Sequence, residues 1–343
     1  MKVSDPEAIR VSSSQEQIEA EIDRLHTKMK ALTWSRDDCA LIAPLTWEIN
    51  TLKEQKNAVI LAHSYQMPQI IFGIADFVGD SYGLSREAMN VNADIIVFCG
   101  VRFMAETAKL VNPDKTVLLP SSDADCSLAD GITAEDVQKL KESYLDVPIV
   151  CYVNTTAAVK AECDVCVTSA NAVEVIRKLD SDPVIFLPDK HMTKNLGPLT
   201  GKKIIGWTAE CIVHNQFTHE QVQALREQYK DIKILAHSEC DPSVAAEADL
   251  VGSTGDMIRY VKASPSQNFA LITECGLTER LQVECPEKNF LGSCVLCPYM
   301  KTITLENTRQ VLASPQQDQL IEVPEDIQIR AKRSLEKMFE LSE

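Results

Sequence analysis

The chain has 343 residues, 45% of them hydrophobic, with 34 Lys and Arg against 50 Asp and Glu, giving a formal charge of −16 at pH 7. Such a length holds two or three domains of roughly 100–200 residues, and the negative charge, with no local Lys/Arg cluster to offset it, excludes nucleic acid as a partner. The opening Met-Lys-Val-Ser-Asp-Pro-Glu has no apolar signal core and no apolar run nears the roughly 18 residues of a membrane span, so a cytoplasmic protein without membrane contact is expected.

Residues 1–45 read as an N-terminal helical extension, a polar tail followed by Ile18, Ile22, Leu25 and Met29 at helical spacing. From Asn57 onward, short apolar runs alternate with helical stretches. Strands are predicted at 58–62, 95–98, 117–119, 147–150, 184–187, 204–205, 232–236 and 270–272, and helices at 85–91, 104–111, 134–144, 172–179, 219–228 and 256–262. Nearly continuous apolar runs between helices are the pattern of buried parallel strands in an α/β fold. The charged stretch after Glu325 reads as helical.

The runs repeat. His63, Tyr152 and His237 close the first strand of successive units 89 and 85 residues apart, and Ser81, Ser169 and Thr254 follow at intervals of 88 and 85. Cys126, Cys211 and Cys297 recur at 85 and 86, and a third strand is predicted to end in Cys-Gly100, Leu-Pro188 and Cys-Gly276. A shared period means a chain built from equivalent units. The expected architecture is three pseudo-threefold-related domains, each a small parallel sheet flanked by helices, set as a triangle around a central site. Their limits are placed at 46–124 (joined by C-terminal helices 300–343), 125–209 and 210–299. Ligands of parallel α/β units lie beyond the carboxyl ends of the strands, where these polar residues fall.

Twelve cysteines in a reducing compartment point to metal or catalysis for some of them. Three thiolates on a four-iron cluster leave one iron open as a Lewis acid, whereas four suit electron transfer. Cys163-x-x-Cys166 and Cys294-x-x-Cys297 offer a competing four-cysteine zinc site. A reversible Cys294–Cys297 disulfide is a further possibility, and Cys39, Cys99, Cys151 and Cys275 read as small buried hydrophobes. His63 and His237 suit an anionic substrate or proton transfer. His214 follows Cys211 closely enough to share its site, whereas His26, His191 and His219 read as solvated or structural. Glu239, Tyr65 and Tyr152 are candidates for proton transfer. The hydroxyls of Ser81, Ser169 and Thr254 are either helix caps or, with helix N-termini, an anion cradle.

Leu-Ala-His63-Ser-Tyr-Gln66, Gly-Asp-Ser81, Arg102-Phe-Met-Ala-Glu-Thr107, Cys126-Ser-Leu-Ala-Asp130, Tyr152-Val-Asn-Thr-Thr156, Thr168-Ser-Ala-Asn171, Cys211-Ile-Val-His214 and Cys297-Pro-Tyr-Met300 stand in the order of the quinolinate synthase family, which the chain resembles from about residue 57 to past 305. The resemblance implies three α/β domains around a [4Fe-4S] cluster with three cysteine ligands, Cys126, Cys211 and Cys297. It also implies condensation of iminoaspartate with dihydroxyacetone phosphate to quinolinate, with loss of phosphate and water, in NAD biosynthesis. Tyr65, Tyr152 and Glu239 would then move protons. Asn154, His63, His237, Ser81, Ser169 and Thr254 would hold carboxylates and phosphate, with Phe103, Met104 and His214 lining the cavity. Transient contact with an aspartate-oxidising enzyme follows by the same logic. Ser64, Ser238, Leu291 and Thr302-Ile303 depart from the family pattern, none at a ligand or proton-transfer position. Two rivals stay open: another cluster-dependent hydro-lyase, and a non-catalytic iron–sulfur carrier or sensor.

Overall fold

The computed structural model describes residues 13–292 and 294–342. Among the described residues there are twelve strands, numbered here in chain order. They are β1 (Ala58–His63), β2 (Phe77–Gly79), β3 (Ile95–Cys99), β4 (Thr116–Leu118), β5 (Ile149–Tyr152), β6 (Val165–Val167), β7 (Val184–Leu187), β8 (Ile204–Ile205), β9 (Lys233–His237), β10 (Leu250–Gly252), β11 (Asn268–Ile272) and β12 (Asn289–Phe290). They form three four-stranded sheets with one order, β2-β1-β3-β4, β6-β5-β7-β8 and β10-β9-β11-β12, and every pairing within them is parallel.

The register confirms the repeat at single residues. His63 pairs with Gly79, Tyr152 with Val167 and His237 with Gly252, each at the carboxyl end of a first strand. In this order the first strand lies between the second and third, so its carboxyl end sits at the reversal of strand order where open α/β sheets bind ligands. Ile60, Leu61, Val150, Cys151, Ile234 and Leu235 in these strands are fully buried. That is the burial expected of strands covered by helices on both faces.

The N-terminal segment is a helical hairpin. Helix Gln15–Met29 starts at a capping box of Ser14 and Gln17, and helix Arg36–Gln55 at one of Ser35 and Asp38. Ile22, Leu25 and Met29 pack on Cys39 and Ala43 in a core of their own. At the other end of the chain, Leu320 bridges to Leu118 at the edge of the first sheet, whereas helix Glu325–Leu341 lies against helix Ala157–Ala161 and β6 of the second. Ser334 of that helix donates to the Lys160 carbonyl and meets the Cys166 thiol at 3.2 Å.

Two glycines mark close approaches between the first and third sheets' elements. A Cβ at Gly276 would lie 2.7 Å from the Tyr65 carbonyl carbon and oxygen, and one at Gly255 would lie 2.6 Å from the Asp80 carboxylate. The second contact brings the starts of helices Ser81–Asn90 and Thr254–Ala263 together.

Candidate active site

The strand ends of all three sheets open into one cavity enclosing about 650 Å³ of space, its mouth included. The first sheet's loops supply His63, Tyr65, Ser81, Phe103 and Met104; the second sheet's supply Tyr152, Asn154 and Ser169; the third's supply His237, Glu239 and Thr254. Cys126, Cys211 and Cys297 also line it, each on the segment leaving the fourth strand of a sheet, and His214 follows Cys211 into the wall. Every residue nominated from the sequence as cluster ligand, proton-transfer group or substrate contact lines this one cavity.

The three thiols have the same local surroundings. The Cys126 sulfur faces the backbone N–H groups of Leu128 and Ala129, Cys211 those of Val213 and His214, and Cys297 those of Tyr299 and Met300. Paired N–H donors two and three residues downstream stabilise negative charge on sulfur. Burial outweighs them in the metal-free chain: it pushes Cys126 up to about 12 and raises Cys211 and Cys297 as well, so the thiols keep their protons until a metal displaces them. None of the three is in a disulfide. Three free sulfurs from three equivalent segments, each with its own pair of donors, fit an iron–sulfur cluster.

The competing cysteine readings resolve differently. Cys294 is disulfide-bonded to Cys275, which caps helix Gly276–Glu284, and not to Cys297. Cys275 is therefore a cross-link and not an inert hydrophobe. A bonded Cys294 cannot complete a four-cysteine zinc site, and Cys163 and Cys166 instead pack within the core around the second sheet. Cys39, Cys99 and Cys151 are fully buried, as the sequence suggested. One donor atom each from Cys211, His214 and Glu239 lies within 4.8 Å of the others. Both ring nitrogens of His214 and both oxygens of Glu239 already have hydrogen-bond partners, so a lone ion would have to break that network.

That network centres on Glu239, which is 3% exposed. Tyr152 Oη donates to its Oε1 at 2.6 Å, His214 Nδ1 lies 2.8 Å from its Oε2, and Asn154 reaches Oε1 at 3.4 Å. Burial alone would raise this carboxyl. The facing imidazoles of His237 and His214, with hydrogen bonds from His214 and Tyr152, overcome it and hold Glu239 well below the ordinary carboxylate range. His214 and His237 stack with centroids 4.4 Å apart. Burial lowers His63 to about 3 and His237 to about 4, leaving both imidazoles neutral near pH 7, and it raises Tyr65 and Tyr152 far above the ordinary phenol. The site thus couples one carboxylate to neutral imidazoles and two protonated phenols, a set that both donates and accepts protons.

Ser81 and Thr254 each occupy the first residue of a ten-residue helix, but the caps are their neighbours Asp80 and Ser253. The hydroxyls are thereby released from the capping role. Thr254 Oγ1 and Asn154 Oδ1 are buried without a partner, and a buried polar atom left open on a cavity wall calls for a ligand. Two helix N-termini meeting there favour an anion. Ser169 lies three residues ahead of helix Ala172–Lys178 instead of at its start. His191 is 3% exposed and bonded to Asn215, a structural histidine. Ser64, one of the departures, donates to the Gly79 carbonyl and accepts from Arg280, tying β2 to helix Gly276–Glu284.

Sequence reasoning missed Thr273, Glu274 and Lys301. β11 ends at Ile272, so Thr273, not Cys-Gly276, is the counterpart of Gly100 and Pro188 just past the third strands. A registration three residues too late hid it. Thr273 Oγ1 lies 2.5 Å from Tyr65 Oη and 2.9 Å from His214 Nε2. Glu274, fully buried, accepts from the N–H groups of Gly276 at 2.6 Å and Cys297 at 3.3 Å and pairs with Lys301 at 2.8 Å. Lys301 also donates to the Tyr65 carbonyl. Only Thr-Glu immediately after an apolar run could have flagged them.

Residues 47–340 match the family model described as Quinolinate synthetase A protein. The chain is 48% identical over 307 residues to Quinolinate synthase 1 of Mesorhizobium japonicum, covering 87% of this chain and 94% of that one. It is 46% identical to the Quinolinate synthase of Xylella fastidiosa, covering 84% of each, and 44% identical to that of Sinorhizobium medicae, covering 94% and 89%. Three equivalent sheets meeting at one thiol- and imidazole-lined cavity, together with these matches over most of both chains, establish that the chain belongs to the quinolinate synthase family.

Proposed function

We propose that this cavity condenses iminoaspartate with dihydroxyacetone phosphate to quinolinate, releasing phosphate and water, in de novo NAD biosynthesis. Members of the family use an iron–sulfur cluster, and here Cys126, Cys211 and Cys297 would hold a [4Fe-4S] cluster. The observation that carries the reading is the collection of these three free thiols, each with two N–H donors, beside a buried carboxylate, imidazole and phenol network. When bound, such a cluster offers one iron without a cysteine ligand as a Lewis acid for substrate oxygen.

The chain's own residues supply the remainder. The Thr254 and Ser81 hydroxyls, with the two helix N-termini beside them, bind the phosphate, and Asn154, Ser169, His63 and His237 orient the carboxylates. Glu239, ionised and tied to Tyr152, takes a proton at Oε1 or Oε2, and the two phenols return protons during isomerisation, ring closure and dehydration. Phe103 and Met104, 4% exposed, exclude water from the apolar wall. The units 46–124, 125–209 and 210–299 act as domains that open and close around the cavity to admit two substrates and then shed water. Because iminoaspartate is an unstable imine, transient contact with an aspartate-oxidising enzyme would deliver it.

Buried polar atoms left open on the cavity wall favour an enzyme over an electron carrier. The test is quinolinate formation by anaerobically reconstituted protein supplied with dihydroxyacetone phosphate and freshly generated iminoaspartate. Glu239→Gln is expected to lower kcat by about 100-fold while iron content is retained, in line with loss of a general base. Wild-type turnover by that variant refutes the assigned role, and no quinolinate from a cluster-loaded wild type refutes the activity.

A further inference from the structure

We propose that Lys160 is a positioning residue of the substrate site. Its buried ammonium clamps the two carbonyls that flank Asn154 and so holds that amide where a carboxylate of the substrate binds. The inference rests on the reading of the cavity as a site for a dicarboxylate. Lys160 is fully buried in a chain of net charge −16 and does not line the cavity, so it acts through its neighbours.

A buried ammonium has three donors to place and no acceptor to offer. Lys160 stands on helix Ala157–Ala161, and its Nζ turns back past the start of that helix to donate to the Val153 carbonyl at 2.7 Å and to the Thr155 carbonyl. The Phe103 ring lies beneath the same nitrogen, its centroid 5.4 Å away. Two carbonyls and the electron-rich face of a ring suit an ammonium, whereas an uncharged amine would turn its lone pair toward one of them. Glu106 holds the far end of the connection, Oε2 accepting from the Ala157 N–H at 2.7 Å. Burial raises the Glu106 carboxyl, and the charge of Lys160 opposes that rise.

These bonds fix the segment that leaves β5. Val153 and Thr155 are buried, whereas Asn154 between them reaches the cavity wall. Thr155 Oγ1 donates to the Tyr152 carbonyl at 2.9 Å and the Val153 N–H to the Val167 carbonyl at 2.8 Å. With Lys160 on the carbonyls before and after it, Asn154 is left one direction in which to project. The clamp also crosses a unit boundary: Phe103 and Glu106 lie about one turn apart on helix Arg102–Val111 of the first unit, and Lys160 belongs to the second. Methionine in place of Lys160 would fill a similar volume but leave both carbonyls buried without a donor, and the segment would shift to satisfy them. The Ser81 and Thr254 hydroxyls stand at helix starts of the first and third units, so the loss falls on the dicarboxylate and spares phosphate.

The test is titration calorimetry of reconstituted holoenzyme with maleate, a stable four-carbon dicarboxylate, and separately with inorganic phosphate. Wild type is compared with Lys160→Met, Asn154→Ala and the Asn154→Ala/Lys160→Met double variant. Lys160→Met is expected to weaken maleate binding about tenfold, the weight of one lost hydrogen bond, with phosphate binding changed by less than about twofold and iron and sulfide content intact. Adding Lys160→Met to Asn154→Ala should weaken maleate by less than about twofold more, because the side chain it positions is already gone. An unchanged maleate constant in Lys160→Met, equal weakening of maleate and phosphate, or full multiplication of the two losses in the double variant each overturns the proposal. Should the methionine chain fail to fold, Lys160→Gln is judged by the same criteria. A wild-type holoenzyme that does not bind maleate refutes the dicarboxylate reading and the proposal with it, a result distinct from failure at Lys160 because it is seen before any variant is compared.

Discussion

Replacing Glu274 by glutamine should loosen the loop that carries Cys297. Both carboxylate oxygens are acceptors, Oε1 toward Lys301 and the Cys297 N–H, Oε2 toward the Gly276 N–H. Glutamine keeps one oxygen and turns an NH2 group toward a donor whichever way it lies. The Glu274 side chain is fully buried and that of Lys301 is 14% exposed, so loss of the charge falls near the low end for breaking a buried pair, about 3 kcal/mol. The opposed donors add about 1 kcal/mol. A total near 4 kcal/mol corresponds to a fall of roughly 5–6 °C in the melting temperature of a chain this long. Scanning calorimetry of the metal-free protein measures that fall, and the native-state alkylation rate of Cys297 reports the local loosening. An E274Q protein that melts within about 1 °C of wild type, with Cys297 no more reactive, would refute the assignment of Glu274 as the anchor of this loop.

Acid should destabilise the metal-free chain in two windows. His63 and His237, near 6.5 when unfolded but lowered by burial to about 3 and about 4 in the fold, bind more protons in the unfolded chain below pH 6.5. Stability is therefore present above that pH and falls as pH drops through it, by about 1.4 kcal/mol for each histidine at pH 5.5. Denaturant titrations at pH 7.5 and 5.5 should show the loss, and a His63→Asn/His237→Asn variant should flatten it; an unchanged slope contradicts the burial argument. Glu239, held low, contributes stability that is lost only below about pH 4.5, the ordinary range of its carboxyl. Peptide mapping of oxidised protein should join Cys294 to Cys275, with ten thiols titrating before reduction and twelve after; a Cys294–Cys297 peptide contradicts the structure.

The centre of the fold was legible because its signal is periodic. His63, Tyr152 and His237 close strands whose hydrogen-bond register is the same in each sheet, so spacing alone located equivalent positions. The cysteines were legible for the same reason, each leaving a fourth strand. The short strands β2, with its exposed Phe77, and β12, of two residues, carry too few apolar positions to stand out from loops and went unnoticed, whereas β4 and β8, short but apolar, were predicted. Helix Arg36–Gln55 continues past the point where the N-terminal extension was expected to end, because Ile49 and Leu52 bury against the first unit. What no spacing could show is contact between distant loops: Thr273 with Tyr65, Glu274 with Lys301, and Cys275 with Cys294 each depend on how sheets and loops meet in three dimensions.

The claim on which the account turns is that three thiols from three equivalent segments hold one cluster. Anaerobic iron and sulfide analysis after reconstitution tests it directly, comparing the wild-type chain with Cys126→Ala, Cys211→Ala, Cys297→Ala and the buried-core control Cys39→Ala. Wild type and Cys39→Ala should each bind about four irons and four sulfides per chain, with each of the other three losing the cluster or holding it with altered stoichiometry and spectrum. A Cys126→Ala protein with full iron, full sulfide and an unchanged spectrum would contradict the account.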